Sequence, residues 1–214
     1  MVMEYRLKTQ GGHDFLEVVS ALQKEIRRAN ERAAVYWAFE LIPRFEAYLW
    51  KRLKVVANED VGIAAPEIFA AIQALAEQYF EMRARKDGSC TLCLTNAVLL
   101  MCRAKKTRVA DHLTIITEQT KARELDGSQA PIPIPDYALD MHTLRGRQMG
   151  RGLDHFRTEG AKLVGRDESV KDPYADEAYR LLRHGKKWPL EPWPAPKGQA
   201  KEKPDESEAE GSLF

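Results

Sequence analysis

Long apolar runs are absent from this 214-residue sequence. No stretch of about 18 apolar residues occurs, so no membrane-spanning helix and no membrane partner are expected. Residues 1–8 lack the apolar core of a signal peptide. Cysteine is scarce, and its odd number, three, does not suit a disulfide framework. These absences favour a protein of the reducing cytoplasm.

Signatures of nucleotide binding and of nucleophilic catalysis are also missing. No Gly-x-x-x-x-Gly-Lys-Ser/Thr segment occurs, so the sequence holds no loop for cradling nucleotide phosphates. No Gly-x-Ser-x-Gly elbow occurs either. The net charge is only +1, so no global positive field attracts nucleic acid. We therefore expect a non-enzymatic protein without a cofactor, and any nucleic-acid contact must come from a local patch.

Helical periodicity is what the sequence does contain. Apolar residues recur at helical spacing from Phe15 to Ile26, which predicts an amphipathic helix. Similar patterns predict helices over 31–41, 45–59, 66–85, 89–103, 107–124 and 172–184, with shorter ones near 136–142 and 153–163. Residues 97–102 are apolar on all sides and are expected at the centre. Four side chains of the helix at 107–124 are expected to point inward: Val109, Ala110, Leu113 and Ile116.

This pattern predicts an all-α fold, an antiparallel helical bundle with short loops and an irregular proline-rich C-terminal extension. Residues 1–12 are expected to form an N-terminal arm and residues 13–125 the bundle. Residues 126–186 contain a proline-rich segment, a loop rich in Gly and Arg and the last helices, and are assigned to the same domain. A Pro/Trp strap is expected over 187–196 and a disordered acidic tail over 197–214.

The corner at residues 52–66 ends one predicted helix and begins another. Two acidic residues, Glu59 and Asp60, close the first helix. Gly62 can adopt the left-handed conformation that ends a helix, and Pro66 suits the first turn of the next one. The corner has either a structural role or a role in presenting its two carboxylates to a partner.

The Gly-Arg loop, residues 143–152, is the strongest binding candidate. Its three arginines lie within seven residues, and the planar fork of arginine suits phosphate oxygens. Its glycines permit close backbone approach. A contact here would address phosphates rather than bases and would depend strongly on salt. The alternative is a solvated loop whose arginines pair with nearby aspartates. The candidate residues, with two flanking histidines, are Arg145, Gly146, Arg147, Gly150, Arg151, Gly152, His142 and His155.

Two metal-ligand sets can be assembled from the sequence. The first offers carboxylate and imidazole ligands for a hard cation or a hydrolytic zinc, and it is the only route to an enzyme, a metal-dependent hydrolase or nuclease. It comprises Asp136, Asp140, His142, Asp154 and His155. The second would be a zinc set, but a single CxxC on a predicted helix fits burial as small apolar residues better. It comprises Cys90, Cys93, Cys102 and His112. No metal is therefore assigned.

Two other segments are candidates for partner contacts. The basic residues of the helix at 45–59 form either a solvated face or a secondary nucleic-acid contact; they are Arg44, Lys51, Arg52 and Lys54. The chain ends in Glu-Gly-Ser-Leu-Phe, which is similar to the bacterial sliding-clamp-binding peptide and to the acidic tails of single-strand-binding proteins. The candidate contacts there are Ser212, Leu213 and Phe214. The alternative is a terminus with no partner.

Three segments resemble a known family, the RarA/MgsA replication-associated recombination ATPases. Residues 14–41, with Val-Ser-Ala-Leu-Gln-Lys-Glu-Ile-Arg-Arg and Ala-Ala-Val-Tyr-Trp-Ala, resemble the start of its C-terminal helical region. Residues 49–66, with Asn-Glu-Asp-Val-Gly-Ile-Ala-Ala-Pro, are similar to its next segment. The proline-rich stretch before Asp136 and the Gly-Arg loop resemble a later one. The resemblance covers roughly residues 12–160.

The resemblance implies a helical bundle like the collar of AAA+ clamp loaders, homo-oligomers (tetramers in the family) and a role in DNA replication or repair. The family carries an AAA+ ATPase module ahead of this region, and this sequence departs from the family in having none, so it is expected to be a stand-alone C-terminal region and the resemblance does not imply ATP hydrolysis. The leading hypothesis is a non-enzymatic oligomeric accessory protein in DNA replication, repair or recombination. Its candidate partners are DNA, an AAA+ ATPase, a sliding clamp and a single-strand-binding protein. The alternatives are a metal-dependent hydrolase and a purely structural oligomerisation module.

Overall fold

A computed structural model describes residues 7–185. Over this range the regular elements are helices, with one isolated backbone bridge between Lys8 and Asp14 and no strand. The predicted all-α class is therefore confirmed. None of the helices in this range combines the length and hydropathy that crossing a bilayer demands. The predicted strap, the predicted tail and the first half of the predicted arm lie outside the described residues.

The helices agree with the periodicity of the sequence in number and order up to residue 125. They are α1 (Phe15–Arg27), α2 (Glu31–Glu40), α3 (Glu46–Val56), α4 (Glu67–Ala84), α5 (Cys90–Arg103), α6 (Val109–Leu125), α7 (Leu144–Gln148), α8 (Leu153–His155) and α9 (Ala175–His184). Turns of π-helix follow α3 and α8, at Ala57–Val61 and Phe156–Gly160. Turns of 3-10 helix occur at Gly62–Ala64 and Asp136–Ala138.

The described residues divide into two compact units, one ending at Pro131 and one beginning at Ile132. We call them unit 1 and unit 2. The sequence analysis assigned most of unit 2 to the same domain as unit 1, and the domain boundaries stay a prediction.

The core of unit 1 is built by α1 to α5. Helix α4 packs along α5 and α1 along α2, and α5 also contacts both α1 and α2. Leu22 and Leu94 are fully buried, and the Trp50 and Tyr79 rings lie 5.3 Å apart. Each such aliphatic side chain contributes about 1.5–3 kcal/mol through removal from water. The central position predicted for residues 97–102 is correct except on one side, where Leu100 is 41% exposed.

Helix α6 departs from the prediction that its apolar side points inward. No residue of α6 is buried, and Leu113 and Ile116 are each 62% exposed. Within unit 1 its main contacts are with the turns at Ala57–Val61 and Gly62–Ala64, rather than with the core helices. The amphipathic pattern correctly marked an apolar face, but such a pattern does not say which surface covers the face.

Unit 2 is held together differently, with few buried side chains among its described residues. Leu139 and Asp140 are buried, as is the backbone at Gly146. Side chains in unit 2 also donate hydrogen bonds to backbone carbonyls, from Arg147 and Arg151. The sequence analysis expected an open loop at 143–152, and this was wrong because its first half forms the short helix α7.

Candidate functional site

The corner at 52–66 contains a network of charged side chains. Arg27 donates from Nε to Asp60 Oδ1 at 2.7 Å and from Nη2 to Glu59 Oε1 at 2.8 Å. Gln23 donates to the second oxygen of each carboxylate, at 3.0 Å and 2.9 Å. Arg108 donates to Glu59 Oε1 at 3.0 Å. The Asp60 side chain is only 1% exposed, so these carboxylates are occupied by groups of the same chain.

The corner also holds the start of α6. The backbone N–H of Thr107 donates to the carbonyls of Asp60 and Val61 at 3.0 Å and 3.2 Å. Gly62 has a φ of +57°, and a Cβ there would lie 3.0 Å from the Thr107 carbonyl oxygen. Both features favour glycine at this position. Pro66 stands directly before α4 with a φ of −65°. Contacts of this kind, which end one helix and orient the next, are what the structural interpretation of the corner predicts.

Gly146 has a different role from the one the sequence suggested. The hydroxyl of Thr143 accepts a hydrogen bond from the Gly146 N–H at 3.0 Å and so caps α7. A Cβ at Gly146 would lie 2.0 Å from the carbonyl oxygen of Asp140. This glycine therefore allows α7 to pack on the chain's own backbone rather than on a ligand. Gly150, with a φ of +72°, and Gly152 have open space around them.

Two of the three arginines of the Gly-Arg loop bind within the chain. Arg151 Nη2 contacts both carboxylate oxygens of Asp136 at 2.7 Å, and its Nη1 donates to the carbonyl of Leu139 at 3.0 Å. Arg147 donates to the carbonyl of Met141 at 3.2 Å. The Arg145 side chain is exposed, and its guanidinium has no hydrogen bond or ion pair with a described residue, although its charge helps to lower the pKa of Asp136. Of the three loop arginines, it alone leaves its whole guanidinium without such bonds.

The three aspartates around the loop each contact a different residue rather than converging on one point. The N–H and the Nδ1 of His142 contact Asp140 at 2.9 Å and 3.1 Å, and these bonds lower the pKa of Asp140. Hydrogen bonding to Arg151 lowers the pKa of Asp136. Asp154 pairs with Arg183. The Nδ1 of His155 is buried and has no hydrogen-bond partner among the described residues.

The hydrolase hypothesis needs a metal site, and the described part of the chain does not form one. No group of three or more His, Cys, Asp or Glu side chains is arranged there to hold an ion. Cys90, Cys93 and Cys102 are free thiols that lie buried in unit 1. Burial raises the pKa of Cys93 and of Cys102, which is typical of small apolar core residues rather than of metal ligands.

The basic residues near α3 do not form a continuous face. Arg44 and Arg52 lie over the rings of Phe45 and Tyr48, at 5.2 Å and 5.8 Å from the ring centres. The other two line an open groove of about 620 Å³ beside α6, in which acidic and apolar side chains also take part. The groove is lined by Lys51, Lys54, Val55, Asn58, Glu59, Ala110, Asp111 and Thr114.

Three further arginines, which the sequence analysis missed, meet in unit 2. They line a pocket of about 320 Å³ at α9, here called the α9 pocket. The spacing of the two arginines on α9 could have suggested a basic helix face, but nothing local brings Arg157 to it. The pocket is lined by Arg157, Asp176, Tyr179, Arg180, Arg183 and His184. The tail candidates Ser212, Leu213 and Phe214 lie outside the described residues.

Comparison with known proteins gives consistent matches. A family model described as MgsA AAA+ ATPase C terminal matches residues 29–179, which confirms the resemblance and carries it into α9. Replication-associated recombination protein A of Bacillus subtilis (strain 168) is 30% identical over 149 residues, or 67% of this chain and 32% of that protein. ATPase WRNIP1 of Dictyostelium discoideum is 26% identical over 152 residues, or 68% of this chain and 16% of that protein. The chain spans less than a third of the length of these relatives.

Proposed function

Since this chain belongs to the MgsA AAA+ ATPase C-terminal family, we propose that it is a non-enzymatic, self-associating accessory module in DNA replication and recombination. These 214 residues hold no phosphate-cradling loop, so ATP hydrolysis in this setting is assigned to an AAA+ ATPase module and not to the region described here. The names of the relatives, a recombination protein and an ATPase, support this setting.

The observation that carries the proposal is the uncovered apolar face of α6. Val109, Leu113 and Ile116 lie along one side of this helix and are 47%, 62% and 62% exposed. The helix has 17 residues, and at 1.5 Å per residue the row from Val109 to Ile116 spans about 11 Å of it. A row of exposed apolar side chains on one helix face is typical of an interface. A second copy of the chain presents the same row, so two copies can cover each other by symmetric pairing.

The corner supports this assignment because it fixes the direction of α6. Thr107 and Arg108, immediately before the helix, are tied to the carbonyls and carboxylates of Glu59, Asp60 and Val61. An interface helix that is attached at one end needs such a rigid attachment, since a loosely held helix would lose more conformational entropy on pairing.

The DNA-contact part of the proposal rests on Arg145. Its exposed guanidinium is suited to a phosphate oxygen, while Arg147 and Arg151 hold the loop that presents it. One exposed arginine supplies a weak, salt-dependent contact that would gain strength from several copies in an oligomer. The alternative, a purely structural oligomerisation module, is favoured by the fact that two of the three loop arginines are already occupied.

Light scattering over a range of protein concentrations tests self-association. We expect the wild-type chain to form an oligomer and the double variant Leu113→Asp/Ile116→Asp to be a monomer. The matched control is Ile115→Asp, because Ile115 is 52% exposed on the same helix but lies off the apolar row. A wild-type chain that stays monomeric at high concentration, or a control that dissociates as fully as the double variant, would contradict the proposal.

A further inference from the structure

We propose that the α9 pocket binds the phosphate backbone of single-stranded nucleic acid. This site goes beyond the proposed function, which uses the apolar face of α6 and Arg145. The inference rests on the proposed DNA setting only for the choice of nucleic acid as the source of the phosphates. The chemistry of the pocket itself, three guanidinium groups and a phenol ring around a small cavity, comes from the structure.

The α9 pocket is rich in arginine. Arg157 comes from the π-helical turn after α8, and Arg180 and Arg183 come from α9, so the guanidinium groups converge from separate segments. Two carboxylates, Asp154 and Asp176, contact these arginines. Of the six residues that line the pocket, three are arginines and one, Asp176, is acidic. A cavity of about 320 Å³ is at the small end of ligand sites and admits a phosphate or a single nucleotide.

Bonds within the chain orient the arginines of the pocket. Arg157 Nη2 donates to Asp176 Oδ1 at 2.9 Å, and Arg183 pairs with Asp154. Arg180 donates from Nε to the carbonyl of Asp176 at 3.2 Å. A guanidinium has five N–H donors in a fixed plane, so an arginine held by one carboxylate keeps donors for a phosphate oxygen. The carboxylates therefore pre-orient the arginines, which lowers the entropic cost of binding.

An aromatic ring in the pocket, that of Tyr179, favours a single strand over a duplex. The Arg157 guanidinium lies over the Tyr179 ring at 4.8 Å from its centre, and both groups line the pocket. Proteins that bind single strands combine arginines for the backbone with aromatic rings for the bases. Duplex DNA is stiff over about 150 base pairs and keeps its phosphates on a convex surface. A flexible strand, in contrast, can turn a phosphate into a small concave pocket.

Fluorescence anisotropy of a labelled oligothymidylate of about 15 nucleotides, titrated with the full chain, tests the site. The test variant is Arg180→Ala/Arg183→Ala. The control is Arg28→Ala/Arg85→Ala, which removes the same charge from exposed positions of unit 1. We expect the test variant to bind about tenfold more weakly or worse at low salt and the control to bind within about twofold of wild type. For single strands each lost phosphate contact lowers the salt slope by about 0.7.

A second variant guards against an effect of misfolding. Arg157→Lys keeps the charge but loses the planar fork, so we expect weaker binding with an unchanged melting curve. Duplex DNA and an acidic peptide serve as competitors, and we expect both to displace the oligothymidylate less well than unlabelled strand. Tighter binding of the peptide would overturn the inference in favour of a protein partner, and tighter binding of duplex would overturn its choice of a single strand. Displacement by inorganic phosphate alone at low concentration would point to a free anion instead.

The outcomes separate this inference from the proposed function. If the strand binds equally well to wild type and test variant, the pocket assignment fails while the accessory role stands. If Arg145→Ala abolishes binding and the pocket variant does not, the contact belongs to the Gly-Arg loop. If the wild-type chain binds no DNA at low salt, both DNA contacts fail. Self-association through α6, which light scattering measures, is unaffected by any of these results.

Discussion

The corner of unit 1 and the Gly-Arg loop of unit 2 both contain arginines and carboxylates, but in different arrangements. At the corner, Arg27 and Arg108 converge on two adjacent carboxylates, one of which, Asp60, is 1% exposed. In the loop, Arg147 and Arg151 bind separate groups, and the carboxylate partner of Arg151, Asp136, is 73% exposed. Burying the ion pairs of the corner costs desolvation energy, and losing either partner would lower the stability of the fold strongly. The exposed ion pair of the loop contributes less to stability because solvent screens it.

This difference shows why arginines close together in sequence are a poor guide to a binding site. Backbone carbonyls within the loop take up Arg147 and Arg151, because a short irregular segment leaves carbonyls that need donors. The convergent cluster of unit 2 is instead at α9, where Arg157 and Asp176 are 19 residues apart in sequence. Convergence is a property of the fold, and only the fold reveals it.

The largest effect that we expect follows Asp60→Asn. The substitution removes the charge of a carboxylate that is 1% exposed and leaves Glu59 as the carboxylate that Arg27 and Arg108 still share, and removing one partner of a buried pair is strongly destabilising. We expect a loss of about 3 kcal/mol in the free energy of unfolding, at the low end for buried pairs because Arg27 is 30% exposed. Urea denaturation of the full chain measures it.

The control for this prediction is Glu81→Gln, which breaks the pair with Arg85 on the surface of α4, where both side chains are more than half exposed. Its midpoint should not move measurably, because exposed pairs contribute little. Equal losses for the two variants would remove the contrast between buried and exposed pairs on which the comparison depends.

The sequence alone predicted the elements of unit 1 well and their environment less well. The periodicity of α1 and the apolar run of α5 placed Leu22 and Val98 in the core, where they lie. The same reasoning placed Leu113 inside, but it is exposed. An apolar helix face has the same pattern whatever surface covers it, so the pattern could not place this side chain in the core. The partners of Glu59 and Asp60 come from α1 and from Arg108, immediately before α6, and no local pattern identifies them.

In unit 2 the sequence predicted the residue types of a phosphate site but not its place. Gly146 was read as access for a ligand, but in the fold it lies against the chain's own backbone. Its neighbour Gly152 has open space around it, and no feature of the sequence distinguishes the two glycines. Tertiary contacts decide whether a glycine lies against other backbone or in open space, and a sequence motif does not contain them.

The second prediction concerns these two glycines. Gly146→Ala brings a Cβ within 2.0 Å of the Asp140 carbonyl oxygen, so α7 must move or the backbone must yield. We expect a loss of about 2 kcal/mol, typical of overpacking, read as faster amide hydrogen exchange across α7. Gly152→Ala should leave exchange in α7 unchanged, since nothing lies within 4 Å of its added Cβ. Unchanged exchange in both variants would mean that α7 can shift freely.

The smallest expected effect distinguishes Arg151 from Arg145. Arg151→Ala removes the donor to the buried Leu139 carbonyl, and we expect a loss of about 1 kcal/mol. Arg145→Ala should change stability much less, because Arg145 acts on Asp136 only through its charge. The pKa of Asp136 should rise in Arg151→Ala, because that arginine is the main cause of its lowering, and an NMR titration of the carboxyl measures the change.

The pH dependence of this last effect follows from the direction of the shift. A carboxyl whose pKa is lowered by folding adds stability above its unfolded pKa of about 3.9 and loses that contribution as the pH falls through the folded value. The wild type should therefore exceed Arg151→Ala in stability most clearly at neutral pH, and the gap should narrow in acid. The gap for Arg145→Ala should be much smaller at every pH, because the charge of Arg145 makes only a minor contribution to the lowered pKa of Asp136. A gap for Arg145→Ala as large as that for Arg151→Ala would show that Arg145 also supports the fold, and its assignment as the outward phosphate contact would then be lost.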